Sequence, residues 1–145
     1  MSSFATNPKR DNLIDEVNKL VEAQKKQFKG QELIGKTLGV VGLGSIGSLV
    51  ARAGLDLGMQ VVGYDPAISV EAAWNIPSKV KRMQDVSSLF ETADFISLHV
   101  PLVPETKSMI NSETLKKFKT GSALLNFSRE SIVDSAAVTE ALDQG

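Results

Sequence analysis

The segment from Gly39 to Pro66, GVVGLGSIGSLVARAGLDLGMQVVGYDP, restricts the fold more than any other part of the chain. An apolar run, Thr37 to Val41, leads into closely spaced glycines, and a helical pattern from Ile46 to Leu57 then ends at Gly58. A second apolar run follows from Gln60 to Tyr64. This order of strand, tight turn, helix and strand predicts a βαβ unit with two parallel strands.

The same alternation continues to the end of the chain. Further strands are predicted at 80–83, 94–98 and 122–127, and further helices at 85–91, at 112–117 and from a cap at Asp134 to Asp143. The segment containing Trp74 and Pro77 has the composition of a loop. Strands that alternate with helices predict a doubly wound α/β fold with a parallel sheet, of the Rossmann type.

An amphipathic helix is predicted ahead of the first strand, over residues 11 to 29. Its apolar positions recur at intervals of three, four and seven residues, and Gly30 follows as a stop signal. The predicted domain boundaries are therefore a tail and linker helix over 1–29 and the α/β domain over 30–145. The pattern leaves open whether this helix packs on the α/β domain or connects it to another domain.

Composition excludes several classes of function. The net charge of -1 gives no basic surface for nucleic acid or for an anionic membrane, and the absence of cysteine excludes disulfides, thiolate catalysis and cysteine-ligated zinc. No metal site is predicted. No apolar run approaches the ~18 residues that a membrane helix needs, and the N-terminus lacks a signal-peptide pattern, so the cytoplasm is the expected location.

Gly42, Gly44 and Gly47 form a GxGxxG pattern between the first strand and its helix. In such a loop the first glycine permits the tight turn, the second admits a pyrophosphate close to the backbone, and the third lets helix and strand approach. The amides of Ser45 and Ile46 would then face the anion at the positive end of the helix. A tight strand-to-helix corner without a ligand is the alternative interpretation.

Asp65 makes the glycine pattern more specific for a dinucleotide. It follows the second strand 18 residues after Gly47, where a carboxylate can accept both hydroxyls of an adenine ribose. The same charge repels the 2′-phosphate of NADP by roughly 1 to 4 kcal/mol at 4 Å. The pair predicts NAD as the cofactor, although Asp65 beside Pro66 is also typical of a turn.

Four segments together resemble a known family. GKTLGVVGLGSIG, GYDP, DFISLHVPLVPETKSMIN and LLNFSRESIVDSAAVTEALDQG are similar, in this order, to the NAD-binding domain of the D-isomer-specific 2-hydroxyacid dehydrogenases, and most of all to the D-3-phosphoglycerate dehydrogenases. The resemblance covers about residues 10 to 145. It implies that the helix at 11–29 links this domain to a substrate domain that the chain lacks.

The resemblance also implies the site residues, position by position. It adds to Gly42, Gly44, Ser45, Ile46, Gly47 and Asp65 a second set at the cofactor, namely His99, Val100, Pro101, Thr106, Phe127, Ser128 and Arg129. Arg129 is also the expected catalytic residue, since a guanidinium can bind a substrate carboxylate through two hydrogen bonds and polarise the 2-oxo group. A surface arginine paired with Glu130 or Asp134 is the alternative.

Two features of the chain depart from a complete site of this family. Glu130 stands where the family usually has glycine, which would cost about 1 kcal/mol if the backbone there needs a positive φ. The single histidine, His99, is expected to shape the cofactor cleft, because the family's catalytic glutamate and histidine would lie beyond Gly145.

The expected function is the NAD-binding portion of an oxidoreductase that transfers a hydride between NAD and a D-2-hydroxy acid, with 3-phosphoglycerate in serine biosynthesis as the implied substrate. Alone, the C-terminally incomplete chain is expected to bind NAD and be inactive. A homodimer is expected because strand 122–127 has an apolar edge. The alternatives are an NAD-sensing corepressor-like module and another D-2-hydroxyacid dehydrogenase, for glycerate or formate.

Overall fold

A computed structural model of the chain describes residues 33–143. Contacts divide the chain into two units after Leu33, and the description below concerns the second unit, from Ile34 onwards. The predicted helix at 11–29 and the predicted boundary between residues 29 and 30 lie outside the described residues. Both stay predictions.

A parallel sheet of five strands forms the centre of the described unit. The strands are β1 (Thr37–Val41), β2 (Gln60–Tyr64), β3 (Lys81–Arg82), β4 (Phe95–Leu98) and β5 (Ala123–Asn126). They lie in the order β3-β2-β1-β4-β5, so that β1 pairs with β2 on one side and with β4 on the other. This is the strand order of a Rossmann-type sheet, as predicted.

Five helices accompany the strands within the described residues. They are α1 (Ser45–Asp56), α2 (Val70–Trp74), α3 (Val86–Thr92), α4 (Ser112–Leu115) and α5 (Ser135–Asp143), and a 3-10 helix spans Glu130–Ile132. A methyl group on Gly54 of α1 would strike Leu38, whereas one on Gly39 would strike Leu89 of α3. Because adjacent strand residues point to opposite faces, α1 and α3 cover opposite faces of the sheet, as in a doubly wound fold.

The core lies between the sheet and its helices. Strand β1 is buried at all five positions, as expected for a central parallel strand covered on both faces. The largest fully buried side chains come from α3, from β4, from the segment just before α4 and from the 3-10 helix, and include Phe90, Leu89, Ile96, Leu98, Ile110 and Ile132. This packing fixes the ends of β1 and β4, from which two of the candidate site loops emerge.

The structure differs from the sequence-based prediction mainly at short elements. The segment before Pro77 contains the short helix α2, where a loop was predicted, because the Ser69 hydroxyl accepts a hydrogen bond from Ala72 N at 3.1 Å and starts the turn. The strand predicted at 80–83 is reduced to β3. The predicted Asp134 cap is present, since its carboxylate accepts from the amides of Ala136 and Ala137.

Candidate functional site

Two glycines of the loop between β1 and α1 are required by the packing of the chain. Gly42 has φ 93° and donates its N–H to Tyr64 O at 2.9 Å, and a methyl group there would overlap the carbonyl of His99. A methyl group on Gly47 would overlap the carbonyl of Gly42. These two positions therefore allow the tight turn and the close approach of helix to strand that the motif predicts.

Gly44 is different, because the folded chain has no need of glycine there. A methyl group on Gly44 would meet no atom within 4 Å, and its φ of -72° is open to any residue. Gly44 is also the N-cap of α1, where no side-chain hydrogen bond caps the helix and no acidic residue lies in the first turn. The first amides of α1, from Ser45 and Ile46, thus face open space with the positive end of the helix.

Asp65 ties the end of β2 to this glycine loop. One carboxylate oxygen accepts from Leu43 N at 2.8 Å, and the other accepts from Ala67 N at 3.0 Å. The second bond is the turn role that the neighbouring proline suggests. The first bond was missed by the sequence analysis, and it shows that the carboxylate lies against the loop that carries Gly44. Each oxygen keeps lone pairs that can accept a ribose hydroxyl.

His99 lies at the carboxyl end of β4, beside the glycine loop. Its N–H donates to Val41 O at 2.7 Å, and its ring stacks on Phe127 with centroids 5.1 Å apart. Its Nε2 is 2.6 Å from the hydroxyl of Ser97, which is buried. Burial lowers the pKa of His99 to about 4 from the ordinary 6.5, so the ring is neutral at pH 7. These contacts hold the ring in place, and without the charged imidazolium form it cannot act as a general acid at pH 7.

The hydroxyls of Thr106 and Ser128 are engaged within the chain. Thr106 is buried, and its hydroxyl donates to Pro101 O at 2.6 Å and accepts from Val103 N at 3.0 Å. Ser128 accepts from Val100 N at 2.8 Å. Both side chains therefore hold the loops after β4 and β5 in shape. This contribution could not be seen in the sequence, because it depends on which backbone atoms lie nearby.

Arg129 is exposed at the N-cap of the 3-10 helix. Within residues 33–143 its guanidinium makes no ion pair, so neither of the anticipated partners, Glu130 and Asp134, binds it. The backbone strain considered for Glu130 is absent, because Ser108 is the one residue other than glycine with positive φ among those described. Glu130 begins an ordinary 3-10 turn.

Asn126, the last residue of β5, is not among the residues predicted from the sequence, yet it contacts the Arg129 loop. Its side chain accepts from Ser128 N at 2.8 Å and donates to Arg129 O at 3.3 Å. The available signal was an asparagine at a strand end, two residues before a turn amide that its side chain can reach.

All these loops lie at the carboxyl ends of the parallel strands. The loops after β1 and β4 are neighbours, and the chain leaves β1 towards β2 on one side and β4 towards β5 on the other. In open α/β sheets ligands bind in the crevice at this reversal of strand order. The structure thus brings together the glycine loop, Asp65, the His99 segment and the Arg129 loop.

The chain is similar over most of its length to one family of NAD-binding domains. The family model of the NAD-binding domain of the D-isomer specific 2-hydroxyacid dehydrogenases matches residues 7–145, and the chain belongs to this family. The predicted family, the predicted Rossmann-type fold and the predicted cofactor of the domain, NAD, are confirmed.

Several relatives are individually similar to the chain. D-3-phosphoglycerate dehydrogenase of Synechocystis sp. is 46% identical over 133 residues, which are 90% of this chain and 24% of that protein. Hydroxypyruvate reductase of Thermotoga maritima is 41% identical over 84% of this chain and 38% of its own length. An NAD-complexed D-isomer specific 2-hydroxyacid dehydrogenase of Lactobacillus delbrueckii matches with a TM-score of 0.71 and 34% identity, covering 79% of this chain and 33% of that one.

The chain therefore spans about a quarter of the length of the phosphoglycerate dehydrogenases that it matches. The described residues contain no helix long and apolar enough to cross a membrane. They also contain no group of three or more His, Asp or Glu side chains placed to hold a metal ion.

Proposed function

We propose that this chain is the NAD-binding portion of an oxidoreductase that acts on a D-2-hydroxy acid. The observation that carries the proposal is the open space at Gly44, in front of the uncapped N-terminus of α1. Packing explains why residues 42 and 47 are glycine, but it gives no reason for glycine at residue 44. A pyrophosphate close to the backbone does give that reason.

The proposed cofactor residues follow from the same geometry. The amides of Gly44, Ser45 and Ile46 bind the pyrophosphate, and Asp65 binds the adenine ribose while it also fixes Leu43. The second wall of the cleft is formed by the segments after β4 and β5, with His99, Val100, Pro101, Thr106, Phe127 and Ser128 as the proposed residues. Backbone amides donate to the pyrophosphate and the Asp65 carboxylate accepts from the ribose, a combination that fits NAD better than NADP.

Arg129 is the residue proposed to bind substrate. NAD, when bound, supplies the acceptor for the hydride that leaves C2 of the hydroxy acid. Arg129 has no ion-pair partner within residues 33–143, so its guanidinium is available for a carboxylate through two parallel hydrogen bonds. The same charge stabilises negative charge on the substrate oxygen during the reverse reaction.

We assign the proton that accompanies the hydride to a group other than His99. A pKa of about 4 makes the His99 ring a weak base towards a substrate hydroxyl and leaves no imidazolium at pH 7 to act as the acid in the reverse reaction. The ring is also already in contact with Ser97 and Phe127. We therefore propose that the chain alone binds NAD without turning over substrate.

The proposed substrate is 3-phosphoglycerate, the starting compound of serine biosynthesis. Support comes from the name of the Synechocystis relative at 46% identity. Hydroxypyruvate is the second candidate, supported by the Thermotoga relative at 41% identity. Both share the carboxylate that Arg129 would bind. The alternative is an NAD-sensing module without catalysis, which would use the same cofactor site. Binding of a 2-oxo acid analogue at Arg129 would favour the enzyme over the sensing module.

The test compares Gly44→Ala with Gly47→Ala. Gly44→Ala has room for the new methyl group, so its free energy of unfolding should stay within about 1 kcal/mol of wild type, while its NAD affinity falls at least tenfold. Gly47→Ala should lose about 1 to 3 kcal/mol of stability, because its methyl group overlaps a backbone carbonyl.

Urea unfolding and calorimetric titration with NAD measure the two quantities separately. A stable Gly44→Ala variant that binds NAD like wild type would contradict the proposed pyrophosphate site. The Gly47→Ala variant serves as the control, since it reports a packing glycine of the same loop.

A further inference from the structure

The side chain of Asn126, at the end of β5, makes two hydrogen bonds to the backbone of the loop that carries Arg129. Asn126 Oδ1 accepts from Ser128 N at 2.8 Å, and Asn126 Nδ2 donates to Arg129 O at 3.3 Å. One amide group thus bonds to an N–H and a C=O of the loop in opposite senses. This holds the peptide before Ser128 and the peptide after Arg129, so the two bonded groups bracket the Ser128–Arg129 segment.

Other contacts hold the same loop from its remaining sides. Ser128 accepts from Val100 N at 2.8 Å, the Phe127 ring stacks on His99, and Ile132 N donates to Arg129 O at 3.1 Å. Among residues 33–143, Asn126 is the one residue whose side chain bonds to the backbone of Arg129. Its contribution to the placement of Arg129 is therefore specific to the side chain and open to mutation.

We propose that Asn126 is a positioning residue for Arg129, an inference that rests on the proposed role of Arg129 in binding a carboxylate. The Arg129 side chain is exposed and lacks an ion pair within residues 33–143. The position of its backbone therefore sets the region that the guanidinium can reach. An arginine loses considerable rotamer freedom when it binds. A fixed backbone removes part of the ordering cost and thereby strengthens the bidentate contact with a 2-oxo or 2-hydroxy acid.

The chemistry of the pair of bonds selects asparagine. The position needs one acceptor and one donor, which an amide supplies in a single group. Aspartate at this position keeps the acceptor for Ser128 N, but it places a charged oxygen against the Arg129 carbonyl. Asn126→Asp therefore removes the bond to Arg129 and changes little in size.

Asn75 provides a matched control on the β3 side of the sheet, away from β5. Asn75 Nδ2 donates to Glu71 O at 3.2 Å, which is the same kind of exposed bond from a side-chain amide to a backbone carbonyl. Asn75 follows α2, between β2 and β3, whereas Asn126 ends β5 at the opposite edge. Asn75→Asp thus reports how the loss of such a bond affects the stability of the chain, without touching the Arg129 loop. The charge that Asn126→Asp adds beside Arg129 can also weaken the binding of an anion, so the order of the Arg129 backbone is the readout that decides the positioning.

The experiment uses the 145-residue chain labelled with 15N, in complex with NADH, and oxamate as the probe for the carboxylate site. The 1H–15N heteronuclear NOE of the Arg129 amide reports the order of the loop, and the Arg129 Nε–H signal reports binding of oxamate. We expect Asn126→Asp to lower the NOE and weaken oxamate about tenfold while the Kd for NADH stays within about twofold. Asn75→Asp should change none of these.

Two outcomes separate this inference from the function on which it rests. If Asn126→Asp leaves the order of Arg129 and the affinity for oxamate as they are in Asn75→Asp, the positioning role is wrong. If Arg129→Gln binds oxamate like wild type, or if the wild-type chain does not bind it, the role of Arg129 is wrong. The NOE comparison of the two aspartate variants then decides the positioning by Asn126 alone.

Discussion

Asp65 has one role that the structure shows and a second role that we propose. The structure shows one of them, since both carboxylate oxygens accept backbone amides, from Leu43 in the glycine loop and from Ala67 in the turn. The proposed bond to the adenine ribose is the other. A plain loss of NAD affinity on mutation therefore does not identify the ribose contact, because loosening the glycine loop would have the same effect.

Asp65→Asn separates the two roles. The amide group turns one N–H towards a backbone N–H, so the free energy of unfolding should fall by about 1 to 3 kcal/mol. Damage to the loop weakens NAD and NADP alike, whereas loss of the charge relieves the repulsion of the 2′-phosphate. The ratio of the two Kd values, measured by calorimetry, should move at least fivefold towards NADP.

An unchanged ratio in Asp65→Asn would remove Asp65 from the ribose site and leave it as a structural residue of the turn. Ser69→Ala offers the control, because it removes the cap of α2, just beyond the same turn, without changing charge. Its ratio of Kd values should equal that of wild type.

Among the elements of the sheet, β1, β4 and β5 are joined by Asp94 at their amino ends, away from the candidate site. Its carboxylate accepts from Thr37 N at 2.9 Å and from Lys119 Nζ at 2.7 Å, and its backbone bonds to β1 and to Ala123 of β5. Burial by itself would raise the pKa of Asp94, but the bonds from Lys119 and Thr37 outweigh it and the pKa is lowered.

Because the pKa of Asp94 is lower in the folded chain, its contribution to stability is present above the unfolded value of 3.8 and is lost as pH falls through the folded value. Asp94→Asn should therefore be less stable than wild type from pH 5 to 7, and the difference should shrink below about pH 4. Urea unfolding as a function of pH measures this.

Asp56→Asn, at an exposed carboxylate on α1, provides the comparison for Asp94. A difference between wild type and Asp94→Asn that stays constant down to pH 2.5 would show that the carboxylate gains no stabilisation from its partners.

The long elements could be predicted from the sequence because their patterns are strong. Strands β1 and β2 match their predicted bounds, because each is an apolar run whose ends are marked by neighbouring glycine or turn residues. Helix α2 was missed because its start depends on one Ser69 bond and it buries none of its residues. The bond from Val100 N to the Ser128 hydroxyl joins residues whose proximity arises from the pairing of β4 with β5, which no local pattern contains. The Asn126 bonds are local and could have been predicted from an asparagine at a strand end.

For the whole molecule, we propose a homodimer that forms along β5. This strand pairs with β4 alone within the described sheet. Beyond it lies a groove of about 700 Å³ lined in part by Leu115, Phe118, Leu124, Val138 and Leu142. Leu142 is 74% exposed, and an apolar edge of this kind favours pairing with another chain.

Light scattering at micromolar concentration should give twice the 15.6 kDa mass of one chain. Leu142→Glu should lower that mass by placing a charge in the groove, whereas Val70→Glu, at an exposed apolar position on α2, should not. A monomer at every concentration would contradict the dimer.

For the whole chain, we propose one NAD site, built by the glycine loop and Asp65 at the reversal of strand order. Thermal unfolding of the intact chain with NAD or NADP measures whether this site exists. At 100 times its Kd, NAD should add about 2.7 kcal/mol to the free energy of unfolding, and NADP at the same concentration should add much less. No stabilisation by either cofactor, or equal stabilisation by both, would contradict the claim.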